Sequence, residues 1–407
     1  MSIKFAQLAC RLFLAAAMSG PAFAQDTLKS GEPSLRDALE AAWAKSARLP
    51  AATGRLRVAT ANRVAAEAFW AASPSLEVGL RGDPFVATSG QRETEVGLAW
   101  PLLLPGQRFA RGASADADVR TAQATQKAAL LLVAGDVRES AWAAHAQRSN
   151  VAIAEAQARA MEALAADVDR RVAAGDLARA DALAARAEAL AAGAAVSTER
   201  QQLEGAMSRW TLLTGLRLVS ESVEVESRAD IDEHPELILD RLKVESARKR
   251  VELVRLSRRA PPELVVRYRH DLPAGNLASQ DTLGVALRIP FATEDRNLPV
   301  ETAALAEADL ALVEERRTRE RLESGLALAR AALSAAVKQL ALEDSRAAML
   351  SERARLVEIS FRAGETALPE LLRTTAAAAQ AERSRARQHA DLGLARARVR
   401  QAGGLLP

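Results

Sequence analysis

The sequence predicts a mainly α-helical protein with a small β part, built as two tandem copies of one unit, and three observations predict it. First, a short phrase occurs twice, RVAAGDLARADAL at Arg171–Leu183 and RAGETALPELL at Arg362–Leu372. Placing Gly175 on Gly364 puts Asp176 on Glu365, Asp181 on Glu370 and Leu183 on Leu372, an offset of 189 residues. In each phrase one glycine interrupts a long helical pattern, as the tip of a helical hairpin does. Second, two pairs of alternating apolar and polar segments lie between prolines, Pro74 and Pro101 in the first unit and Pro262 and Pro290 in the second. Third, the 407 residues are 49% hydrophobic but only 3% aromatic, and alanine dominates the apolar share. That mixture suits long helices packed closely side by side better than a thick globular core.

The N-terminus carries Lys4 and Arg11, an apolar run from Leu12 to Met18, and Pro21-Ala22-Phe23-Ala24. This is the pattern of a cleavable secretory signal over 1–24, cut before Gln25, with an apolar run too short to span a bilayer. The one cysteine, Cys10, lies inside it, so the mature chain is expected to have neither disulfide nor thiol chemistry. No later stretch offers 18 continuous apolar residues.

The first unit is drawn at 25–215. A helix is expected from Ser34, its cap, to Ala72, and Pro74 stops it. Leu76, Val78 and Leu80 then alternate with Glu77, Gly79 and Arg81, and Val96, Leu98 and Trp100 with Glu95, Gly97 and Ala99. With turn residues between them, these form a β-hairpin over about 74–103. From Gln107 to about Val172 the pattern is helical and free of proline; at 1.5 Å per residue that helix is about 100 Å long, far too long for a compact domain. Its Ala, Leu and Val spacing indicates coiled-coil packing. A tip at 173–178 leads into a return helix, about Arg179 to Thr214, whose missing half the first helix can supply by stacking end to end with it.

A connecting strand is read at 216–231, and the programme then restarts over 232–407. His234-Pro235-Glu236-Leu237 opens a helix to about Arg259. A second hairpin follows at about 262–291, with Leu264, Val266 and Tyr268, then Leu283, Val285 and Leu287, on its apolar face. A long helix from about Asn297 to Phe361 reaches the tip at 362–367, and a return helix runs to about Gln401. Where the second unit has His234-Pro235, the first has Ser46-Ala47 and lacks the proline start.

Each strand is near the length that crosses a bilayer when tilted. Four strands cannot close a barrel, and an open edge in lipid leaves backbone groups without partners, so a membrane reading requires several copies. Three copies give twelve strands, within the known even-numbered range. The apolar faces would then meet lipid, and Glu77, Arg81, Glu95, Arg267, Arg269 and Arg288 would face a wet lumen. A soluble two-sided hairpin fits the alternation equally well.

The order of elements, the doubled hairpin and the doubled glycine tip resemble the TolC family of outer-membrane efflux channels over residues 34–402. Pro74-Ser75-Leu76-Glu77, Glu93-Thr94-Glu95-Val96-Gly97-Leu98 and Gly106-Gln107-Arg108 are most similar to the CzcC-type branch, which serves heavy-metal efflux pumps of the resistance-nodulation-division class. The resemblance implies a homotrimer with a twelve-stranded barrel in outer-membrane lipid and a helical tunnel crossing the periplasm. It also implies a periplasmic adaptor (membrane fusion) protein and an inner-membrane transporter as partners. Carried over by position, Gly175, Asp176, Leu177, Gly364, Glu365 and Thr366 are the adaptor-docking tips, and Asp181 and Glu370 a periplasmic gate. Plain helix chemistry accounts for the same residues: glycine ends a helix, and acids in the first turn favour its positive end. The missing proline start at Ser46-Ala47, the short strand between the units and the little chain beyond Gln401 depart from the family's pattern and imply a reduced equatorial region.

Several function classes have no residues to carry them. The 55 basic and 52 acidic residues interleave along helical faces, which is a solvated surface and not a nucleic-acid site. His145, His234, His270 and His389 lie far apart, so neither a metal site nor a cofactor is expected. No phosphate loop or hydrolase motif occurs, so the chain is not expected to be an enzyme. The alternative to an exit duct is a soluble periplasmic coiled-coil adaptor or scaffold.

Overall fold

The computed structural model describes residues 33–82, 92–219, 224, 228–273, 278–291 and 293–407. The expected signal at 1–24, with Cys10, lies outside them. Among the described residues there are seven α-helices: α1 (Leu35–Lys45), α2 (Arg48–Ala66), α3 (Gln107–Ala174), α4 (Arg179–Thr214), α5 (Pro235–Leu256), α6 (Glu294–Arg362) and α7 (Leu368–Ala402). Four strands, β1 (Ser75–Gly82), β2 (Arg92–Pro101), β3 (Glu263–Leu272) and β4 (Gln280–Arg288), make one antiparallel sheet in the order β1-β2-β3-β4.

The single helix expected over 34–72 is two. Ser34 caps α1 as foreseen, its hydroxyl accepting from the Asp37 N–H at 3.1 Å while the Asp37 carboxylate accepts from the Ser34 N–H at 2.9 Å. The break at Ser46 (φ −71°, ψ 134°) follows from Pro50, whose ring would collide with the carbonyl four residues earlier if the helix ran through. Ser46 Oγ accepts from the Arg48 N–H at 3.1 Å and starts α2. At the equivalent place in the second unit, His234 (φ −64°, ψ 127°) accepts from the Glu236 N–H at 3.2 Å on Nδ1. The two junctions are thus the same device, with Pro50 and Pro235 at slightly different depths in the first turn. α2 also ends sooner than expected, at Ala66. The chain beyond it unwinds, and Arg108 and Arg111 donate to the freed carbonyls of Glu67 and Ala71 at 2.9 and 3.0 Å.

α3 and α6 run the full length between sheet and tips. Near the sheet the helices pack in the row α2-α3-α5-α6, and near the tips in the row α4-α3-α7-α6. Each long helix therefore has two shorter partners in succession. At the first changeover Lys45, the last residue of α1, donates through Nζ to the carbonyls of Thr211 and Leu212 at the end of α4, at 3.2 and 3.0 Å, where a cation suits the helix dipole. A second glycine pair also keeps the 189-residue offset: Gly215 ends α4 at φ 82° and Gly404 follows α7 at φ 76°.

The connecting strand expected over 216–231 is not formed among the described residues there, which are irregular apart from a 3-10 turn at Ile231–Glu233. The reason is side-chain anchoring. Val219 is buried in the first unit's core, and the Glu224 carboxylate is drawn onto Arg138 of α3, at 2.7 and 2.8 Å. Arg138 is 2% exposed and also donates to the Leu405 carbonyl and Gln401, so it joins α3, the connection and the C-terminal end.

Candidate functional site: the two tips and the polar sheet face

Both tips have the same backbone. Gly175 (φ 89°) donates to Val172 and Asp176 donates to Arg171, at 3.1 and 2.9 Å; Gly364 (φ 82°) donates to Phe361 and Glu365 to Ser360, each at 3.0 Å. These bonds satisfy the last carbonyls of α3 and α6. A Cβ on either glycine would meet nothing within 4 Å, so both loops are open to their surroundings. Asp176 and Glu365 are exposed, whereas Leu177 packs into the tip core and Thr366 is half-buried, donating to Ser360 Oγ at 2.8 Å.

Asp181 and Glu370, equivalent in sequence, differ in contact. Asp181 accepts from the Ala178 N–H at 3.2 Å and so starts α4. Glu370 instead pairs with Arg353 of α6 at 3.0 Å and with Arg373 of α7 at 2.8 Å, tying the two arms of its hairpin.

One contact was not foreseen. Arg171 stacks on the Phe361 ring, its guanidinium carbon 5.0 Å from the centroid, and donates to the Phe361 carbonyl at 3.3 Å while pairing with Asp167 at 3.0 Å. The two tips are thereby joined to each other through one buried core that includes Val168, Leu368 and Leu371. The signal available was Phe361, the aromatic that replaces Val172 between the two phrases.

In the sheet the register is what segregates the faces. Leu76 pairs with Leu98, Leu98 with Val266 and Val266 with Val285; Val78 pairs with Val96, Val96 with Tyr268 and Tyr268 with Leu283. All these side chains share one face, and Leu80, Leu283 and Val285 on it are 81%, 72% and 70% exposed. Glu77, Arg81, Glu95, Arg267, Arg269 and Arg288 all fall on the other face. There Arg267 contacts Glu95 at 3.4 Å and Glu77 at 4.0 Å, Arg269 pairs with Glu93 at 2.9 Å, Arg81 with Glu93 at 3.6 Å, and Arg288 with Glu263 at 3.1 Å. Gly97 stands in register between Glu77 and Arg267, and a Cβ there would lie 3.4 Å from the Arg267 side chain. Its lack of a side chain is what lets Arg267 reach across two strands. Glu93 and Glu263 are partners that the reading of single strands did not single out, because the pairing depends on register.

Among the described residues no group of three or more His, Cys, Asp and Glu is placed to hold a metal ion. Among the described residues the outer edges of β1 and β4 have no strand beside them. α6 is the one helix among the described residues that is long and apolar enough to cross a membrane by length and composition, yet only 17% of that stretch is buried. Its exposed Leu328, Leu342, Met349 and Leu356 recur at multiples of seven residues.

Residues 38–216, the first unit from within α1 onward, match the model of the family described as Outer membrane efflux protein. No curated protein matches the chain. Among solved structures, the chain is similar to the outer membrane protein VceC from Vibrio cholerae, at 15% identity and TM-score 0.72, covering 91% of this chain and 96% of that one. It is also similar to CusC, at 16% identity and TM-score 0.75 over 92% of each chain. To the Neisseria gonorrhoeae MtrE outer membrane channel it shows 14% identity and TM-score 0.72, over 92% of this chain and 89% of that one. The chain has the fold of these outer-membrane channels along nearly its whole length, and the sequence of its first unit matches the outer membrane efflux protein family.

Proposed function

We propose that this chain is the exit duct of a tripartite efflux pump, a homotrimer whose three sheets close a twelve-stranded barrel in the outer membrane and whose helices line a periplasmic tunnel. The observation that carries this reading is the sheet: two edges unpaired among the described residues, one face with an exposed apolar band of Leu76, Val78, Leu80, Leu283, Val285 and Leu287, the other lined by paired charges. In lipid such edges are stable only when paired, and pairing with further copies closes them. The heptad stripe on α6 supports the same assembly, as a coiled-coil seam for a neighbouring copy. A soluble adaptor or scaffold would gain nothing from an exposed apolar sheet face of this size. Fractionation tests the reading: the protein is expected in outer membranes as an oligomer that unheated gels retain and heating dissociates. Recovery wholly in the soluble periplasm, with identical migration heated and unheated, overturns it.

In this assembly the tips at Gly175–Leu177 and Gly364–Thr366 dock the periplasmic adaptor, Asp181 and Glu370 lie at the periplasmic mouth as its gate, and an inner-membrane transporter of the resistance-nodulation-division class supplies the energy. Glu77, Arg81, Glu95, Arg267, Arg269 and Arg288 line the barrel lumen. The open space around Gly364 makes it a clean probe. Gly364→Arg is expected to leave oligomers in the membrane and abolish export; normal export by that variant rejects the docking assignment. Heavy-metal cations are the proposed cargo, on the resemblance to the CzcC-type phrases. A deletion strain is then expected to be sensitised to metal cations; sensitisation to drugs alone reassigns the cargo.

A further inference from the structure

Near the sheet the two units make unequal use of one packing. Among the described residues α5 touches both long helices, α3 and α6, whereas α2 touches only α3; α3 has both short helices beside it, and α6 has only α5. Equivalent positions are offset by 189 residues between α3 and α6 and by 188 between α2 and α5, the latter fixed by the caps Ser46 and His234 and by Pro74 and Pro262. Buried residues keep these offsets: Ala115 and Ala304, Val133 and Leu322, Ala52 and Asp240. The contact of α5 with α6 is thus the counterpart of the contact of α2 with α3. The contact of α5 with α3 has no counterpart inside one chain, and its missing half would set α2 of one copy against α6 of another.

The residues at that missing contact can be named. In the chain, Arg120 of α3 pairs with Glu245 of α5 at 2.8 Å, and Thr121 donates to the Leu242 carbonyl at 3.2 Å. The offsets carry Arg120 onto Asp309 of α6 and Glu245 onto Arg57 of α2, an ion pair with its signs exchanged. They carry Thr121 onto Leu310 and Leu242 onto Gly54, a side chain and the space for it. Arg57 and Asp309 are exposed, and neither has an ion pair or hydrogen bond among the described residues. Leu310 is 58% exposed, and a Cβ on Gly54 would meet nothing within 4 Å. Arg57 and Asp309 lie on the two outer members of the helix row, so they do not reach each other within one chain.

We infer that Arg57 of one copy pairs with Asp309 of the next, with Leu310 seated over Gly54, and that this pair decides which helices meet. The inference rests on the exit-duct reading, whose copies it brings together, and adds the register of their contact. The exchange of signs makes the seam selective. α5 of a neighbouring copy, placed on α6 where α2 belongs, would set Glu245 against Asp309. α2 placed on α3 where α5 belongs would set Arg57 against Arg120. Both wrong pairings put like charges together, so a duplicated chain with two similar short helices assembles in one order.

The lifetime of the full-length oligomer in detergent, followed on unheated gels, tests this. Asp309→Arg and Arg57→Asp are each expected to shorten it about tenfold, since each sets like charges together at every seam. The two changes in one chain are expected to restore it to within about twofold, because the reversed pair forms again between copies. Arg55→Asp, about 200° round α2 from Arg57, is expected to leave the lifetime unchanged and not to rescue Asp309→Arg. Single changes without effect, no recovery in the combination, or equal rescue by Arg55→Asp overturns the inference, and an oligomer that persists through them leaves the exit-duct reading standing. An unaltered chain that forms no oligomer overturns both.

Discussion

At mid-length the first unit carries a helix, α1, over its core, whereas the second has none there among the described residues, although the two share a backbone plan. In the first, α1 lies on the core, Trp210 is fully buried with its indole N–H donating to the Leu218 carbonyl at 3.0 Å, and Lys45 caps the end of α4. In the second, the position of Trp210 is held by Val399, and among the described residues Ala229 and Ile231 pack on the core where the first unit has α1. Duplication gives two equal scaffolds, and the difference shows what one added helix contributes to the packing of the first.

The sharpest way to break this comparison is to empty the filled side. Trp210→Ala is expected to cost about 4 kcal/mol, through cavity and lost hydrogen bond, whereas Val399→Ala in the smaller core between α6 and α7 is expected to cost about 1.5 kcal/mol. Urea denaturation followed by helicity measures both, and equal costs would mean that the two cores are energetically alike. Next in size is Arg138→Met, expected at about 3 kcal/mol, the low end for stripping a buried carboxylate of its partner because Arg400 still reaches Glu224 at 3.0 Å. Arg138→Met with Glu224→Met is expected to recover most of that loss; failure to recover would show that the Leu405 and Gln401 contacts carry the stability instead.

Smaller effects distinguish the two changeovers. A Cβ on Gly404 would come within 2.7 Å of the His234 ring and 2.8 Å of Pro235, whereas on Gly215 it would stand 3.5 Å from the flexible Lys45 side chain. Both residues have positive φ, so Gly215→Ala is expected to cost about 1 kcal/mol and Gly404→Ala about twice that. The smallest effect is in pH. Burial pushes the His234 imidazole below its ordinary value, so the folded chain holds fewer protons there than the unfolded chain. Stability is therefore expected to fall as pH drops below about 6.5, where the unfolded histidine begins to charge, and to level off below the folded value. His234→Ser, which copies Ser46, is expected to flatten that slope in an acid titration of stability.

Much of this plan is written locally. A glycine with left-handed backbone has few substitutes, so both tips could be read from one residue each, and period-two alternation put six charged residues on one face without knowledge of any partner. Features set by distant residues were less legible. The break at Ser46 hid behind an apolar pattern that continues through it, although Pro50 was its physical cause. Asp181 and Glu370 look alike because their neighbours do, and diverge because only Glu370 has an arginine opposite, Arg353, in reach. The pairing that takes the place of α1 in the second unit had no local sign at all: Glu224, at the position of Leu35, is bonded to Arg138, 86 residues away.

The changeover of partners along α3 and α6 has a mechanical consequence. Two of the four helices in the row are continuous over about 100 Å, while the other two are interrupted at the same level and held there by a lysine, a histidine and a pair of glycines. A rod with half its section cut at one height flexes at that height. Displacement of the tips is thus accommodated at mid-length, with every helical turn intact on either side, and the sheet end is spared the torque.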